Sequence, residues 1–231
     1  MGITDTDRAF FRSRVYELLA HCFGKPIEEF FTFITDKEFM DNIQEAIDMT
    51  YPIPIHDIKE AVNDVKDISF DTFNTWYEGL VNQKINFFYE CKYHHPLSAI
   101  EEMADIAGFY RAFGVYVKEE RPDYLSMELE FMRLIALKES KALLTGDMEN
   151  HEICLSAQKK FLEAHLGRWT ATVTKVTGEI KFYAPMSRFL HKWIIRECEY
   201  LNAAPDELKW IFKYQDDENM DNQCAVNIGG K

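Results

Sequence analysis

A glutamate lies where the sequence predicts a buried helix face. In the stretch RPDYLSMELEFMRLIALKE, 121–139, a helical projection places Glu128 in the centre of an apolar face. That face is formed by Leu125, Phe131, Met132 and Ile135. A buried carboxylate without compensation is costly, so Glu128 requires a partner, a shifted pKa or a water-lined site.

An arginine occupies the equivalent position on a second predicted helix, 97–118. Arg111 lies in the middle of a face made of small and aliphatic residues: Ile100, Ala104, Ala107, Gly108, Gly114 and Val115. Small residues allow two helices to pack closely. Opposite charges on two apolar faces neutralise each other when the helices pack, so we predict a structural ion pair between Glu128 and Arg111.

Side chains that bind metals or act as nucleophiles gather near residue 90. Glu90 and His94 are four positions apart, and Cys91 beside them is a weak candidate nucleophile. The segment 83–96 has no helical periodicity and ends in proline, so we interpret it as a loop in which this spacing has no defined geometry. The sequence contains no HExxH motif, no cysteine-rich metal motif and no glycine-rich phosphate loop. We therefore expect no metal and no cofactor.

The composition indicates an acidic protein that does not bind nucleic acid. Lys and Arg total 26 against 39 Asp and Glu, which gives a net charge of −13. Nucleic-acid binding requires a basic surface instead. No apolar run is long enough to span a bilayer, and the N-terminus lacks the layout of a secretory signal. We expect a cytoplasmic protein without stable membrane insertion.

The cysteines fit the same interpretation, because they are scattered and form no CxxC pair: Cys22, Cys91, Cys154, Cys198 and Cys224. They are typical of reduced packing residues in a cytoplasmic protein.

Helical periodicity recurs along the chain, and only 10 residues are glycine. We predict helices near 5–23, 26–34, 36–49, 57–66, 70–82, 97–118, 122–145, 150–167 and 179–201. The fold class is all-α, a single compact domain of about nine or ten helices covering residues 1–205. Residues 206–231 are predicted to form an acidic, loosely held tail. His165 and Trp169, at helical spacing, are interpreted as packed core residues, with a groove wall as the alternative.

Four stretches together resemble the redox-enzyme maturation chaperones of the TorD/DmsD/NarJ type: YECKYH (89–94), ADIAGFYRAFG (104–114), RPDYLSMELEFM (121–132) and FLEAHLGRW (161–169). Their order and spacing match that family over about residues 8–200. The most specific is the segment Pro-Asp-x-Leu-x-x-Glu-Leu-Glu-Phe.

The resemblance implies a cytoplasmic, all-helical chaperone that is not an enzyme. Such chaperones bind the precursor of a molybdenum-containing oxidoreductase, by its twin-arginine leader or its mature body, and hold it until its cofactor is inserted before export. In the leader-binding branch an Asp-His pair follows the proline. Asp123 matches the Asp, and Tyr124 stands where His is usual. The stretch FFYECKYHHP is closer to the loop of the nitrate-reductase chaperones.

A twin-arginine leader calls for acidic groups beside an apolar or aromatic groove. The predicted peptide site therefore comprises Asp123, Tyr124, Tyr89, Glu90, Tyr93, His94 and Glu128. Glu128 then has two competing interpretations, the partner of Arg111 or an acid facing a leader arginine. The chain is expected to be a monomer or a homodimer. A metal- or nucleotide-dependent helical enzyme and a general helical protein-binding scaffold remain as alternatives.

Overall fold

The computed structural model describes residues 2–81, 86–95, 98–118, 120–206 and 208. Within them the chain forms ten α-helices, one 3₁₀ turn (Glu90–Tyr93) and one π-helical turn (Leu162–Leu166), without a β-strand. The helices are α1 (Asp5–Phe23), α2 (Glu28–Thr35), α3 (Phe39–Asp48), α4 (His56–Val65), α5 (Phe70–Val81), α6 (Ala99–Ala112), α7 (Leu125–Thr145), α8 (Met148–Phe161), α9 (Gly167–Thr177) and α10 (Tyr183–Leu201).

The predicted single all-α domain of nine or ten helices is confirmed, because one continuous hydrophobic core runs from α1 to α10. The predicted tail 206–231 lies outside the described residues apart from 206 and 208, and it stays a prediction. In the described part of the chain, no helix is both long enough and apolar enough to cross a bilayer.

Helices α1 and α7 pack antiparallel. Near one end Ser126 donates a hydrogen bond to the carbonyl of Ala20 (2.9 Å), and near the other Ser140 donates to the carbonyl of Thr6 (3.0 Å). The apolar face predicted for α7 is buried, with Leu125, Phe131, Met132 and Ile135 each no more than 2% exposed. Glu128 on that face is fully buried, as predicted.

Helix α6 turns a different face to the core from the one predicted. Ile106 and Tyr110 are buried, with Phe109 and Phe113 packed beside them, whereas Ile100 is 75% exposed. Aromatic rings bury far more apolar area than glycine and alanine do, so they determine the orientation of the helix. The small-residue face therefore points away from the core.

Helix α9 was not predicted. Its sequence, GRWTATVTKVT, is rich in threonine and valine, which lower helix propensity because a branched Cβ restricts the side chain. Burial of Trp169 and Val173 against α10 outweighs this local preference. Pro185 is the third residue of α10, which begins at Tyr183, and the first turn of a helix tolerates proline because its N–H groups have no partner within the helix.

Candidate functional site

The loop before α6 docks on the N-terminal end of α7. The backbone N–H of Glu90 donates to the carbonyl of Asp123 (2.9 Å), and the N–H of Cys91 donates to the Asp123 carboxylate (3.2 Å). Tyr89 and Tyr124 form an isolated antiparallel bridge. Two segments more than thirty positions apart in the sequence thus meet, and they carry the predicted peptide-site residues.

Six of those seven residues are interior. Tyr89 is partly exposed, whereas the others are at most 6% exposed: Glu90, Tyr93, His94, Asp123, Tyr124 and Glu128. Among the seven predicted site residues, only Tyr89 is accessible at the surface in this conformation.

Glu120 and Arg121 surround the accessible Tyr89. Arg121 forms a bidentate pair with Asp123, with Nε–Oδ1 and Nη2–Oδ2 distances of 2.9 and 2.7 Å. Its guanidinium lies 4.4 Å from the centroid of the Tyr89 ring. The Tyr89 hydroxyl donates to Glu120 (2.9 Å). Partial burial, and to a smaller extent this hydrogen bond, raises the pKa of Tyr89 to about 12. Tyr89 therefore carries a proton that it can donate across the neutral pH range.

The hydroxyls of the two remaining tyrosines of the predicted site form hydrogen bonds inside the protein. The Tyr124 hydroxyl donates to the carbonyl of Phe23 (2.9 Å) and lies 2.6 Å from the Tyr77 hydroxyl. The Tyr93 hydroxyl donates to the carbonyl of Phe87 (2.8 Å). Both hydroxyls are satisfied by hydrogen bonds within the chain, so these residues secure the loop.

The predicted ion pair between Glu128 and Arg111 is wrong. Arg111 is exposed because the aromatic face of α6 turns inward and carries the small-residue face outward, while Glu128 is fully buried. Glu128 instead accepts a hydrogen bond from Trp169 Nε1 (3.2 Å). Burial, and then the negative charge of Glu90, raises the pKa of Glu128 well above its ordinary value. The neutral, protonated form of this carboxyl group is thus favoured by its surroundings, and no arginine partner is needed to explain its burial.

Trp169 and His165 are both fully buried, which confirms their interpretation as packed core residues. His165 belongs to the π-helical turn, an irregularity often found at functional sites. Its Nε2 lies 3.0 Å from Asp105 Oδ2, and its Nδ1 lies 3.3 Å from Glu90 Oε2. Burial alone would lower the pKa of His165, but Glu90 and Asp105 outweigh it and raise that pKa above its ordinary value.

Glu90 is the centre of a cluster of histidines and carboxylates. His94 Nε2 lies 3.0 Å from Glu90 Oε1, and His94 Nδ1 lies 3.2 Å from Glu102 Oε1. The interpretation of this spacing as loop spacing without defined geometry is wrong. The 3₁₀ turn at residues 90–93 brings positions 90 and 94 face to face. One ligand atom each from Glu90, His94 and Glu102 lies within 4.8 Å of the other two.

Burial alone would raise the pKa of Glu90, but the neighbouring imidazoles of His165 and His94 outweigh it and lower that pKa. The two neighbouring carboxyl groups thus have pKa values shifted in opposite directions, downward for Glu90 and upward for Glu128. Sequence reasoning missed Glu102 and Asp105, which look like ordinary exposed acids of an amphipathic helix. The available signal was their spacing of three, which places both on one side of α6.

Comparison with known proteins bears directly on this part of the chain. The family described as nitrate reductase delta subunit matches residues 55–175, just over half of the chain. The chain belongs to this family. Membership confirms the resemblance to the redox-enzyme maturation chaperones of the TorD/NarJ type. The matched range contains the whole histidine–carboxylate cluster and the docked loop, from Tyr89 to Trp169.

This chain is also similar to a protein that is named as an assembly chaperone. The perchlorate reductase assembly chaperone protein of Dechloromonas aromatica (strain RCB) is 28% identical to it over 176 residues. That alignment covers 72% of this chain and 78% of the relative. The similarity thus extends over most of both proteins.

Proposed function

We propose that this protein is a cytoplasmic assembly chaperone, not an enzyme, for a molybdenum-containing oxidoreductase. It binds the precursor of that oxidoreductase and holds it until the cofactor is inserted before export. The observation that carries this proposal is the family match over residues 55–175. The name of the relative, an assembly chaperone for perchlorate reductase, supports a client of the same broad class.

The binding face that we propose is centred on Tyr89, Glu120 and Arg121. A twin-arginine leader requires a carboxylate for its guanidinium groups and an aromatic ring on which they can stack. Tyr89 offers the ring, and the exposed carboxylate of Glu120 lies within hydrogen-bonding distance of its hydroxyl. The net charge of −13 adds long-range attraction for a basic segment.

Arg121 already occupies the environment that a leader arginine would use. Its guanidinium stacks on Tyr89 and pairs with the fully buried Asp123. A leader arginine therefore either pairs with Glu120 beside this internal arginine or displaces it. Glu90, Tyr124 and the other buried members of the predicted site position the loop and do not contact the leader in this conformation.

The client is identified first, by affinity purification from cytosol of the native host followed by mass spectrometry. The leader peptide of a recovered oxidoreductase precursor is then titrated into the purified protein at low and high salt. We expect binding that weakens with salt and is lost when both leader arginines are replaced by alanine. Recovery of the precursor without binding of its leader peptide would indicate that the protein binds the mature body of the precursor. Absence of any redox-enzyme precursor would overturn the proposed function.

The face itself is tested with variants whose side chains are accessible. Tyr89→Ala and Glu120→Gln should each weaken leader binding about three- to tenfold, the effect of one exposed charged or stacking contact. Tyr116→Ala is the matched control, because Tyr116 is 70% exposed in the neighbouring loop. Arg121→Gln should strengthen binding by removing the internal competitor. Unchanged affinity in the first two variants would exclude this face.

A further inference from the structure

We propose that Glu90, His94, Glu102 and His165 bind one divalent transition-metal ion. The site lies inside the protein, between the 3₁₀ turn, helix α6 and the π-helical turn. This inference does not depend on the proposed function, because it concerns a buried ligand set rather than the exposed face around Tyr89. It departs from the expectation that the chain holds no metal.

The ligand atoms already converge from three separate elements. One ligand atom each from Glu90, His94 and Glu102 lies within 4.8 Å of the other two. His94 gives an ion only one nitrogen; its Nε2 is 3.0 Å from Glu90 and its Nδ1 3.2 Å from Glu102. The fourth atom, His165 Nδ1, lies 3.3 Å from Glu90 Oε2 and 4.0 Å from Glu102 Oε2. Ligands bound at 2.0–2.2 Å to a tetrahedral ion lie about 3.3–3.6 Å apart, so small rotations of these side chains would form the coordination shell.

A second observation points independently to a missing ligand. Among the described residues, neither Glu90 Oε2 nor His165 Nδ1 has a hydrogen-bond partner, although both side chains are fully buried. The two atoms lie 3.3 Å apart, within ion-pair distance of each other but without a hydrogen bond. Buried polar atoms without partners are costly, and an ion between them would satisfy both.

His165 has the arrangement typical of a histidine that binds a metal. Such a histidine donates the N–H of its other ring nitrogen to a carboxylate, which orients the ring and fixes the tautomer. His165 Nε2 lies 3.0 Å from Asp105, whose side chain is 62% exposed. This contact leaves the Nδ1 lone pair directed at Glu90 and Glu102. Asp105 is thus a positioning residue for the proposed ligand.

Two imidazoles and two carboxylates suit zinc and the neighbouring divalent ions iron, manganese and nickel. Calcium and magnesium prefer a shell of oxygen atoms alone. A thiolate ligand is not available, because Cys91 Sγ contacts the carbonyl of Ala99 (3.4 Å) and burial raises the pKa of this thiol. The ion would fasten the docked loop to α6 and to the π-helical turn.

The test uses untagged full-length protein that has been stripped with a chelator and titrated with zinc chloride against a chromophoric competitor. Cobalt chloride is the second probe, since its visible spectrum reports coordination by nitrogen and oxygen. We expect one ion per chain. His94→Gln and Glu102→Gln should each weaken zinc binding at least about tenfold, and Asp105→Asn about tenfold through the orientation of His165.

The matched controls are Glu101→Gln and His56→Gln, which alter an exposed neighbour of Glu102 on α6 and an exposed histidine on α4. Both should bind zinc as tightly as the wild type. Thermal melting of every metal-free variant identifies any that fail to fold. Asp105→Asn is expected to fold because the Asp105 side chain is exposed. Absence of saturable binding, or equal weakening in variants and controls, would overturn the proposal. The cluster would then be a network of ion pairs only.

Discussion

Replacing Arg12 by methionine should destabilise the protein by about 3–5 kcal/mol, the cost of leaving buried charges without their partner. Arg12 is fully buried between α1, α7, α8 and α10. Its Nε and Nη2 donate to the two oxygens of Glu197 at 2.7 and 2.6 Å. Its Nη1 donates to Glu139 (2.8 Å), and Nη2 also donates to Gln158 (2.6 Å).

The magnitude follows from what the substitution leaves behind. Methionine fills much of the arginine's volume, so the cavity is small, but two buried carboxylates lose their only cation among the described residues. Glu197 keeps the hydroxyl donors Tyr16 (3.0 Å) and Tyr51 (2.6 Å), which limit the loss. A domain of ordinary stability unfolds at a cost of about 5–15 kcal/mol, so the variant loses a large part of that margin.

The measurement is urea denaturation monitored by circular dichroism, and Arg196→Ala is the matched control. Arg196 pairs with Glu199 on the surface of α10, where the two side chains are 46% and 56% exposed. Such a pair contributes at most about 1 kcal/mol. If Arg12→Met loses no more stability than Arg196→Ala at an unchanged m-value, the buried network does not hold these helices together and the reasoning fails.

Two further predictions concern the buried Glu128 and two glycines, Gly167 and Gly79. The pKa of Glu128 is raised in the folded protein by burial and by Glu90, so its contribution to stability is fully present below pH about 4.3 and is lost as the pH rises toward the folded pKa. With a chelator present, the stability of Glu128→Gln relative to the wild type should therefore increase by up to about 1.4 kcal/mol per pH unit as the pH rises above about 4.3 toward the folded pKa, and parallel melting profiles would contradict this. Gly167→Ala should cost about 1–3 kcal/mol, because its Cβ would overlap the carbonyl oxygen of Leu162. A Cβ added at Gly79 on α5 would have no atom within 4 Å, so Gly79→Ala should stabilise the protein by about 0.5–1 kcal/mol. Similar thermal midpoints for the two glycine variants would refute the packing argument.

Helical periodicity predicted most elements of this fold, and its failures have physical causes. It gave α1 with its observed ends because a capping box at Thr4 and Asp7 starts that helix. It missed α9 because local propensity opposes a helix that tertiary packing stabilises. It chose the wrong face of α6 because it weighted small residues as a packing seam, although the aromatic residues on the other face bury more area.

The sequence identified segments that meet in the structure, but not the contacts between their side chains. The docked loop and the start of α7 do meet, but sequence spacing could not indicate that the 3₁₀ turn brings Glu90 and His94 together. Arg12 was missed although its position carried a signal. It lies on the same face of α1 as the buried Ala9, Tyr16 and Phe23, just as Glu128 does on α7. The same helical projection on α1 would have found it.

Helix α7 carries two buried carboxylates, Glu128 and Glu139, about 16 Å apart at 1.5 Å per residue. Glu139 pairs with Arg12, and a guanidinium keeps its charge at every physiological pH, so that pairing is permanent. Glu128 adjoins a different kind of cluster, in which Glu90 is balanced by two histidines. A histidine cluster can exchange its protons for a metal ion, and an arginine network cannot. Since the arginine arrangement suffices for stability on the same helix, the histidine cluster is better explained by a ligand, and this contrast directs the first metal titrations to Glu90, His94 and Glu102.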